Sequence, residues 1–258
     1  MQLIDTHCHL DLDIFADDRH EVLARSREAG VAAFIVPGVY SNRWHNILRL
    51  CRDETDLFPA LGLHPMYMDY HSEADLHELE HHASSGSLVA LGEIGLDFYI
   101  NKPDRHKQHT LLKKQLDIAA RHHLPILLHV RKAHDQVQAL LRRNQFRHGG
   151  IIHAFSGSLQ QAEHYIRLGF KIGIGGTITY DRATRIRNIA ATLPLDTMVL
   201  ETDAPDIPPS RYHNSRNSPE YLPLILNSLA EIRKEQQATV ARVTTANARR
   251  SIPTLPAH

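Results

Sequence analysis

The chain has 258 residues, of which 42% are hydrophobic and 22% are charged, a composition that argues against a disordered chain, a collagen or a coiled-coil rod. Lysine plus arginine equals aspartate plus glutamate at 29 each, so the formal net charge is zero. No overall positive field is available to hold long nucleic acid or an anionic membrane, and an anionic ligand must be bound by local groups.

Membrane insertion and secretion are both poorly supported by the sequence. Stretches without a charged residue, such as the thirteen residues from Gly30 to Asn42, are shorter than the roughly 18 to 20 residues of a membrane-spanning helix. The first residues, Met1 to His7, lack the basic and long apolar segments of a secretion signal. Cys8 and Cys51 are the only cysteines, which is typical of reduced thiols. We therefore expect a cytoplasmic protein that does not enter membranes.

Short apolar runs alternate with segments of helical character. The runs are rich in Val, Ile and Leu and predict eight strands, at Gln2–Thr6, Ala32–Val36, Leu57–Leu61, Leu88–Leu91, Pro125–Leu128, Gly150–Ile152, Phe170–Gly173 and Thr197–Leu200. The segments between them predict helices at Asp17–Gly30, Ser41–Asp53, Asp75–His82, Asp104–His123, Ala133–Phe146, Leu159–Leu168 and Arg182–Ala191. This alternation is typical of a parallel sheet covered by helices.

The spacing of the strands predicts the fold class. Successive strands begin 20 to 37 residues apart, close to the length of one βα unit. Eight such units account for the ~250 residues typical of a (β/α)₈ barrel, so we expect residues 1–258 to form one barrel domain. The proline-rich stretch Ala204–Pro219 predicts a long loop over the mouth of the barrel, followed by further helices.

A pattern of alternating polar residues begins in the first predicted strand and continues past its end. Asp5, His7 and His9 occupy every second position, so their side chains share one face, where two imidazoles could bind one metal ion. Taken alone, the pattern fits a pair of structural histidines equally well. Cys8 has the opposite parity and is expected to be a buried thiol rather than a ligand.

Similar residues follow later strands. Acidic or imidazole side chains come at the ends of strands four, five, six and eight, at Glu93, His129, His153 and Asp203. The carboxyl ends of barrel strands form the face that carries active sites. Five strand ends that all carry such groups are hard to obtain by chance, so the combined pattern predicts a metal centre.

Seven motifs in this order resemble those of the TatD-type metal-dependent deoxyribonucleases, nearly from end to end of the chain. They are DTHCH at Asp5–His9, GLHP at Gly62–Pro65, GEIGLD at Gly92–Asp97, LPILLH at Leu124–His129, HAFSG at His153–Gly157, ETDAP at Glu201–Pro205 and TTANARR at Thr244–Arg250. The stretches Ser156–Gln161 and Lys171–Tyr180 are most similar to the YjjV-type branch. The resemblance implies a hydrolase barrel with two divalent ions, held by His7, His9, Glu93, His129, His153 and Asp203.

These ligand types imply a mechanism. If Glu93 bridges the two ions, two carboxylates face four positive charges, and the excess of about two favours an anionic substrate. Two ions can share a water, lower its pKa toward ~7 and stabilise both oxygens of a phosphoryl displacement. By analogy with the superfamily, Asp203 orients the hydroxide that bridges the metals and accepts its proton. Mixed imidazole and carboxylate ligands accept Mg, Mn, Zn or Ni, and the sequence does not separate them.

Other residues near the predicted centre have less specific roles. His64 follows the third strand and is either a phosphate contact or a histidine that caps a turn. Arg131 is expected to contact substrate, although Val130 stands before it where the family more often has Ser. Asp97 or Asp5 could orient a ligand imidazole, since metal-bound histidines usually donate their other N–H to an oxygen.

The remaining charged residues are expected to lie at the surface. The chain has 20 histidines, and those outside the motifs, including His81 and His122, are predicted to be solvated. Only scattered arginines could form a basic rim, and each is more often a solvated charge: Arg182, Arg185, Arg211 and Arg216. Ser156 has no visible base partner and is expected in a turn.

The predicted function is metal-dependent hydrolysis of phosphodiesters in DNA. Eight loops around a barrel mouth form a pit, and a duplex about 20 Å wide cannot lower an internal phosphate into it without costly deformation. An exonuclease on single strands or frayed ends is therefore expected, and the 3′ to 5′ direction comes from the resemblance. Two alternatives remain: a related barrel hydrolase of small phosphoesters, lactones or amides, and a non-enzymatic metal-binding protein. No obligate protein partner is indicated, and we expect a monomer.

Overall fold

The computed structural model describes residues 1–256, and its eight strands form one parallel sheet in chain order. The strands are β1 (Leu3–Asp5), β2 (Val31–Pro37), β3 (Leu57–Leu61), β4 (Ala90–Asp97), β5 (Ile126–Arg131), β6 (Gly150–Ile152), β7 (Phe170–Ile174) and β8 (Met198–Leu200). The helices are α1 (Arg19–Glu28), α2 (Trp44–Asp53), α3 (Glu73–Ser84), α4 (Arg105–Arg121), α5 (His134–Arg143), α6 (Leu159–Arg167), α7 (Thr184–Thr192), α8 (Leu222–Arg233) and α9 (Gln237–Ser251). The predicted (β/α)₈ barrel is confirmed.

Two neighbouring strands, β4 and β5, extend further than the sequence predicts. β4 continues to Asp97 and β5 to Arg131, so Glu93 and His129 lie within strands rather than after them. The apolar pattern breaks at these side chains because they face the mouth of the barrel, while the backbone pairing of β4 with β5 continues. The first strand is shorter than predicted, because regular pairing stops at Asp5.

The strands separate two apolar cores. One lies inside the barrel and is formed by alternate strand residues such as Ile4, Ile35, Leu127, Ile151 and Val199. Their neighbours along the strands pack outward against the helices. The inner core also includes residues at the end of α9 and just beyond it: Ala248, Ile252 and Leu255. These residues close the barrel at the end opposite the predicted metal centre.

The barrel closes between β1 and β8 through the buried side chain of Asp5. Its carboxylate accepts hydrogen bonds from the Thr202 N–H at 2.9 Å and hydroxyl at 2.5 Å, and from the His7 N–H at 3.2 Å. Burial raises the pKa of Asp5 to about 7, and these hydrogen bonds oppose the rise. Asp5 thus joins the two segments that carry the histidine pair and Asp203, and its bonds go to these groups rather than to an imidazole.

The segment Ala204–Pro219 forms the long loop after β8, interrupted by a short 3₁₀ turn at Ser210–Tyr212. The buried amide of Asn217 holds it, donating to the carbonyls of Thr202 at 2.8 Å and Asp206 at 2.6 Å. Within residues 1–256, every helix is too short or too polar to cross a bilayer.

One histidine expected at the surface is buried. His134, at the start of α5, is 6% exposed and lies beside Phe155 and Tyr165, with ring centroids 5.1 and 5.8 Å away. Burial lowers the pKa of His134 to about 4, and the neighbouring Asp135 only partly opposes this. Apolar neighbours from α6 and its preceding loop cover the ring, and the sequence of α5 alone does not reveal them.

We expect His134 to destabilise the protein in acid. The unfolded chain binds a proton on this side chain below pH 6.5, whereas the folded protein does so only near pH 4. Protonation therefore favours unfolding. The resulting loss in the free energy of unfolding is zero well above pH 6.5 and grows to about 3 kcal/mol at pH 4. In urea unfolding between pH 7 and pH 4, the free energy of unfolding of His134→Gln should fall less than that of the wild type. Parallel curves would contradict this assignment.

Candidate metal centre

The buried carboxylate of Glu93 lies at the centre of the barrel mouth. Its Oε1 atom lies 2.8 Å from His129 Nδ1. The same oxygen lies 3.2 Å from the Nε2 atoms of both His64 and His153. Three imidazoles, from β5 and from the segments after β3 and β6, therefore face one carboxylate oxygen.

The second oxygen of Glu93 faces the opposite group. Oε2 lies 3.3 Å from His7 Nε2 and 3.6 Å from His9 Nε2. Asp203 Oδ1 lies 3.7 Å from each of these two nitrogens. One carboxylate thus stands between donors on both sides, and all six predicted ligands come together around it. His153 lies near both sides, because its Nδ1 is 3.9 Å from Asp203 Oδ1.

A bulge in β4 positions Glu93. The register of β4 with β5 shifts between Leu91 and Ile94, and Gly92 and Glu93 lie in the irregular stretch. Such a bulge changes the direction of a side chain, so Glu93 points into the mouth while Ile94 packs in the outer core. A Cβ atom at Gly92 would lie 2.6 Å from the Leu127 Cβ, so only glycine allows this approach of β5.

Asp203 occupies an unusual backbone conformation just after β8. Its φ is +60°, in the left-handed region that aspartate tolerates better than most residues. Its N–H donates to the His7 carbonyl at 2.8 Å, and the His9 N–H donates to the Ala204 carbonyl at 2.7 Å. These bonds hold the carboxylate beside the histidine pair.

Glu201 is a buried acid beside His153 whose role the motifs did not predict. Its Oε1 accepts a hydrogen bond from the Ala154 N–H at 2.6 Å and lies 3.6 Å from His153 Nδ1. Its Oε2 is buried and has no hydrogen-bond partner within residues 1–256. Glu201 stands two positions before Asp203, and this alternation at a strand end is the signal that could have identified it.

The residues predicted to support the metal ligands or to contact substrate also lie at the centre. Asp97 Oδ2 accepts from His129 Nε2 at 3.0 Å, as expected for a residue that orients an imidazole. His64 caps the turn that follows β3, because its Nδ1 accepts from the Met66 N–H at 3.1 Å, and its Nε2 faces Glu93 at 3.2 Å. Arg131 lies at the cavity wall, 3.4 Å from Asp97.

Burial and close charges set the ionisation of the centre. Burial would raise the pKa of Glu93, but the surrounding imidazoles, first His64 and His153, bring it well below the usual value. Burial raises the pKa of Asp203 to about 6 against the attraction of His153. Burial also lowers the pKa of His7 well below its usual range, and His153 adds to this effect. Neutral His7 beside ionised Glu93 is the combination that cation binding requires.

The donors fit divalent ions. Three sets have donor atoms within 4.8 Å of one another: His7 with His153 and Asp203, His7 with His9 and Glu93, and His64 with Glu93 and His129. Both ring nitrogens of His7 are buried without a hydrogen-bond partner in the described chain, and its contact with Glu93 lacks hydrogen-bond geometry. All donors are nitrogen or oxygen, since the Cys8 thiol points to the Ile35 carbonyl. This chemistry suits first-row ions and magnesium.

A cavity of about 500 Å³ opens from the centre, with Tyr67 and Arg131 in its wall. Of the four rim arginines considered in the sequence, Arg216 is engaged by Asp18 at 2.5 and 2.9 Å and is not available to a ligand. Two others lie over tyrosine rings, at Arg182 and Arg211. The fourth, Arg185, borders a neighbouring cavity.

The chain is similar to proteins of known family. The family model described as TatD related DNase matches residues 4–253. The Escherichia coli protein named uncharacterized metal-dependent hydrolase YjjV is 41% identical over 243 residues, covering 93% of this chain and 94% of that one. A crystal structure of YjjV matches with a TM-score of 0.94 and 40% identity over 98% of both chains. The 3′-5′ ssDNA/RNA exonuclease TatD of Erwinia tasmaniensis is 33% identical over 259 residues, covering 96% and 98%.

Glycine at position 173 in β7 leaves the space that Glu201 occupies. A Cβ atom there would lie 2.4 Å from Glu201 Oε2, whereas a Cβ at Gly175 would make an ordinary 3.5 Å contact with its Cγ. We expect Gly173→Ala to displace Glu201 and to lower the free energy of unfolding by about 1–3 kcal/mol, as overpacking does. Gly175→Ala is the matched control and should unfold like the wild type in a thermal melt. Equal stabilities of the two variants would show that Glu201 is not confined by β7.

Proposed function

The chain belongs to the TatD related DNase family and is a metal-dependent hydrolase, and on that premise we propose that it removes nucleotides from the 3′ end of single-stranded or frayed DNA. The observation that carries the proposal is the Glu93 carboxylate, whose two oxygens face different imidazoles. Relatives named 3′-5′ ssDNA/RNA exonuclease support the direction and the substrate. In this proposal residues 1–258 act as a single domain.

Glu93 is proposed to be shared between two divalent ions. His7, His9 and Asp203 complete the set on the Oε2 side, and His129 and His153 complete the set on the Oε1 side. When bound, two ions of Mg, Mn, Zn or Ni supply the positive charge that activates a water and neutralises the phosphoryl oxygens. Asp97 holds the His129 ring, and Asp5 holds the backbone beneath His7.

The side chains of this chain then have distinct tasks. Asp203 lies in the cavity wall and accepts the proton of the attacking water while it orients that water toward phosphorus. Arg131 lines the same cavity and contacts a phosphate oxygen through its fixed set of donors. The Nδ1 atom of His64 accepts from the Met66 N–H, so its Nε2 atom faces the cavity. Nε2 is the nitrogen that contacts the substrate.

Three tyrosines favour a substrate with nucleobases over a small ester. Tyr67 lines the cavity, and its ring centroid lies 5.3 Å from that of Tyr40. Tyr70 is 66% exposed and stacks on Tyr40 at 5.8 Å. Each base that stacks on such a ring contributes about 1–3 kcal/mol to binding, whichever of the four bases it is. This cluster offers a single strand a place for its terminal bases.

Metal content tests whether Glu93 is shared. We expect the wild type to bind two equivalents of Mn²⁺ and Glu93→Gln to bind at most one tightly, because a neutral amide leaves two cations facing each other. Equilibrium dialysis followed by elemental analysis measures the ratio. Glu163→Gln makes the same change on the exposed face of α6 and should retain two equivalents. If Glu93→Gln also retains two, the metal is held elsewhere, as a protein with surface histidine sites would hold it.

A substrate panel tests the activity. End-labelled single-stranded DNA, covalently closed circular DNA, RNA and a small phosphodiester are incubated with the protein and Mn²⁺ or Mg²⁺. We expect 3′-terminal release from the single strand, little cutting of the circle, and a loss of about 10²–10⁴-fold in Asp203→Asn, the range for removal of a general base. Turnover of the small ester with no action on any nucleic acid would instead establish a small-molecule hydrolase.

A further inference from the structure

A second cavity of about 700 Å³ adjoins the metal centre, and the proposed mechanism does not use it. It shares two wall residues, Arg131 and Ser156, with the cavity of the centre. The rest of its wall includes Tyr99, Lys132, Arg185 and the first turn of α5. We call it the Arg185 groove.

The Arg185 groove is positively charged although the chain is neutral overall. Its wall holds three cations, Arg131, Lys132 and Arg185, against one acid, Asp135. No side chain caps the first turn of α5 at Ala133, so backbone N–H groups of this turn add to the positive potential. A neutral protein that concentrates cations beside its reactive centre has a local site for an anion.

The cations of the groove are held in place. The Arg131 guanidinium lies 4.4 Å from the Tyr99 ring centroid and 3.4 Å from Asp97, and the Lys132 ammonium lies 4.7 Å from the same ring. Arg185 donates to the Ser156 carbonyl at 3.3 Å, at the junction of the two cavities. Because few rotamers remain to be ordered, an anion that enters binds at a lower entropic cost.

We propose that the Arg185 groove binds the phosphate next to the scissile one, on its 5′ side, so that the preferred substrate is an oligonucleotide with at least two phosphodiesters. This inference rests on the proposed nuclease function. Arg131 lines both cavities and spans the two phosphates, while Lys132 and Arg185 contact only the second. The phosphates and not the bases enter the groove, because the cations already occupy the Tyr99 ring.

Short oligothymidylates without terminal phosphates test the groove. The dimer has only the scissile linkage, whereas the trimer adds one phosphate on the 5′ side. We expect kcat/KM to rise by about tenfold from dimer to trimer, the effect of one or two charge-assisted contacts. A trimer whose 5′ linkage is a neutral methylphosphonate should lose this advantage.

Variants assign the advantage to the groove. Arg185→Gln, and Lys132→Asn at a position with φ +52° that asparagine tolerates, should each reduce the trimer advantage and lower the salt dependence of KM by about one ion. Arg242→Gln removes the same charge from α9 at the opposite end of the barrel and should keep the full advantage. Thermal melts verify that each variant is folded.

The outcomes separate the two proposals. Equal hydrolysis of dimer and trimer, or an advantage that persists in both groove variants, overturns the groove assignment and leaves the nuclease function standing. Hydrolysis of a small phosphodiester with no hydrolysis of any oligonucleotide overturns the nuclease function and the groove assignment with it. An advantage that depends on both the charge of the 5′ phosphate and Arg185 supports both.

Discussion

One buried carboxylate surrounded by five imidazoles organises the functional end of this barrel. Glu93 requires nearby positive charge, because an ion of this kind is costly to bury unless it is paired. Imidazoles approach it from opposite sides, with His7 and His9 beyond β1 and His129 in β5. Against the effect of burial, the neighbouring carboxylates raise the pKa of His129 and His153, so these two rings can carry the charge. The bulge of β4, the left-handed backbone of Asp203 and the carboxylate of Asp5 all maintain this arrangement.

The barrel and the set of donors could be read from the sequence because they depend on local signals. Apolar runs at the spacing of βα units reveal the strands, and residues that follow these runs must meet at one face. The bulge at Gly92 and Glu93 could not be predicted, since it lies against Leu127 on the neighbouring strand and depends on the pairing of β4 with β5. The apolar pattern ended β4 six residues early, at Leu91 rather than Asp97, because Glu93 faces the mouth of the barrel and interrupts the pattern.

Burial that depends on distant packing was also beyond the sequence. His134 was expected in solvent, yet Phe155 and Tyr165 cover it from elements that follow later in the chain. Glu201 carried the correct alternation with Asp203, but its role depends on the empty space left by Gly173 in the adjacent strand. The Arg185 groove likewise joins side chains from four successive βα units. Zero net charge therefore hides a strongly uneven distribution of charge.

The closure of the inner core by the residues around α9 has a consequence for synthesis on the ribosome. Ile4 and Ile35 emerge early, but the apolar layer to which they belong lacks Ala248, Ile252 and Leu255 until almost the whole barrel has been translated. His7 likewise waits for Asp203, almost two hundred residues later. Such long sequence separations slow folding and leave early strands exposed as the chain grows. The inner apolar face of the early strands therefore stays uncovered until the residues of α9 have been made.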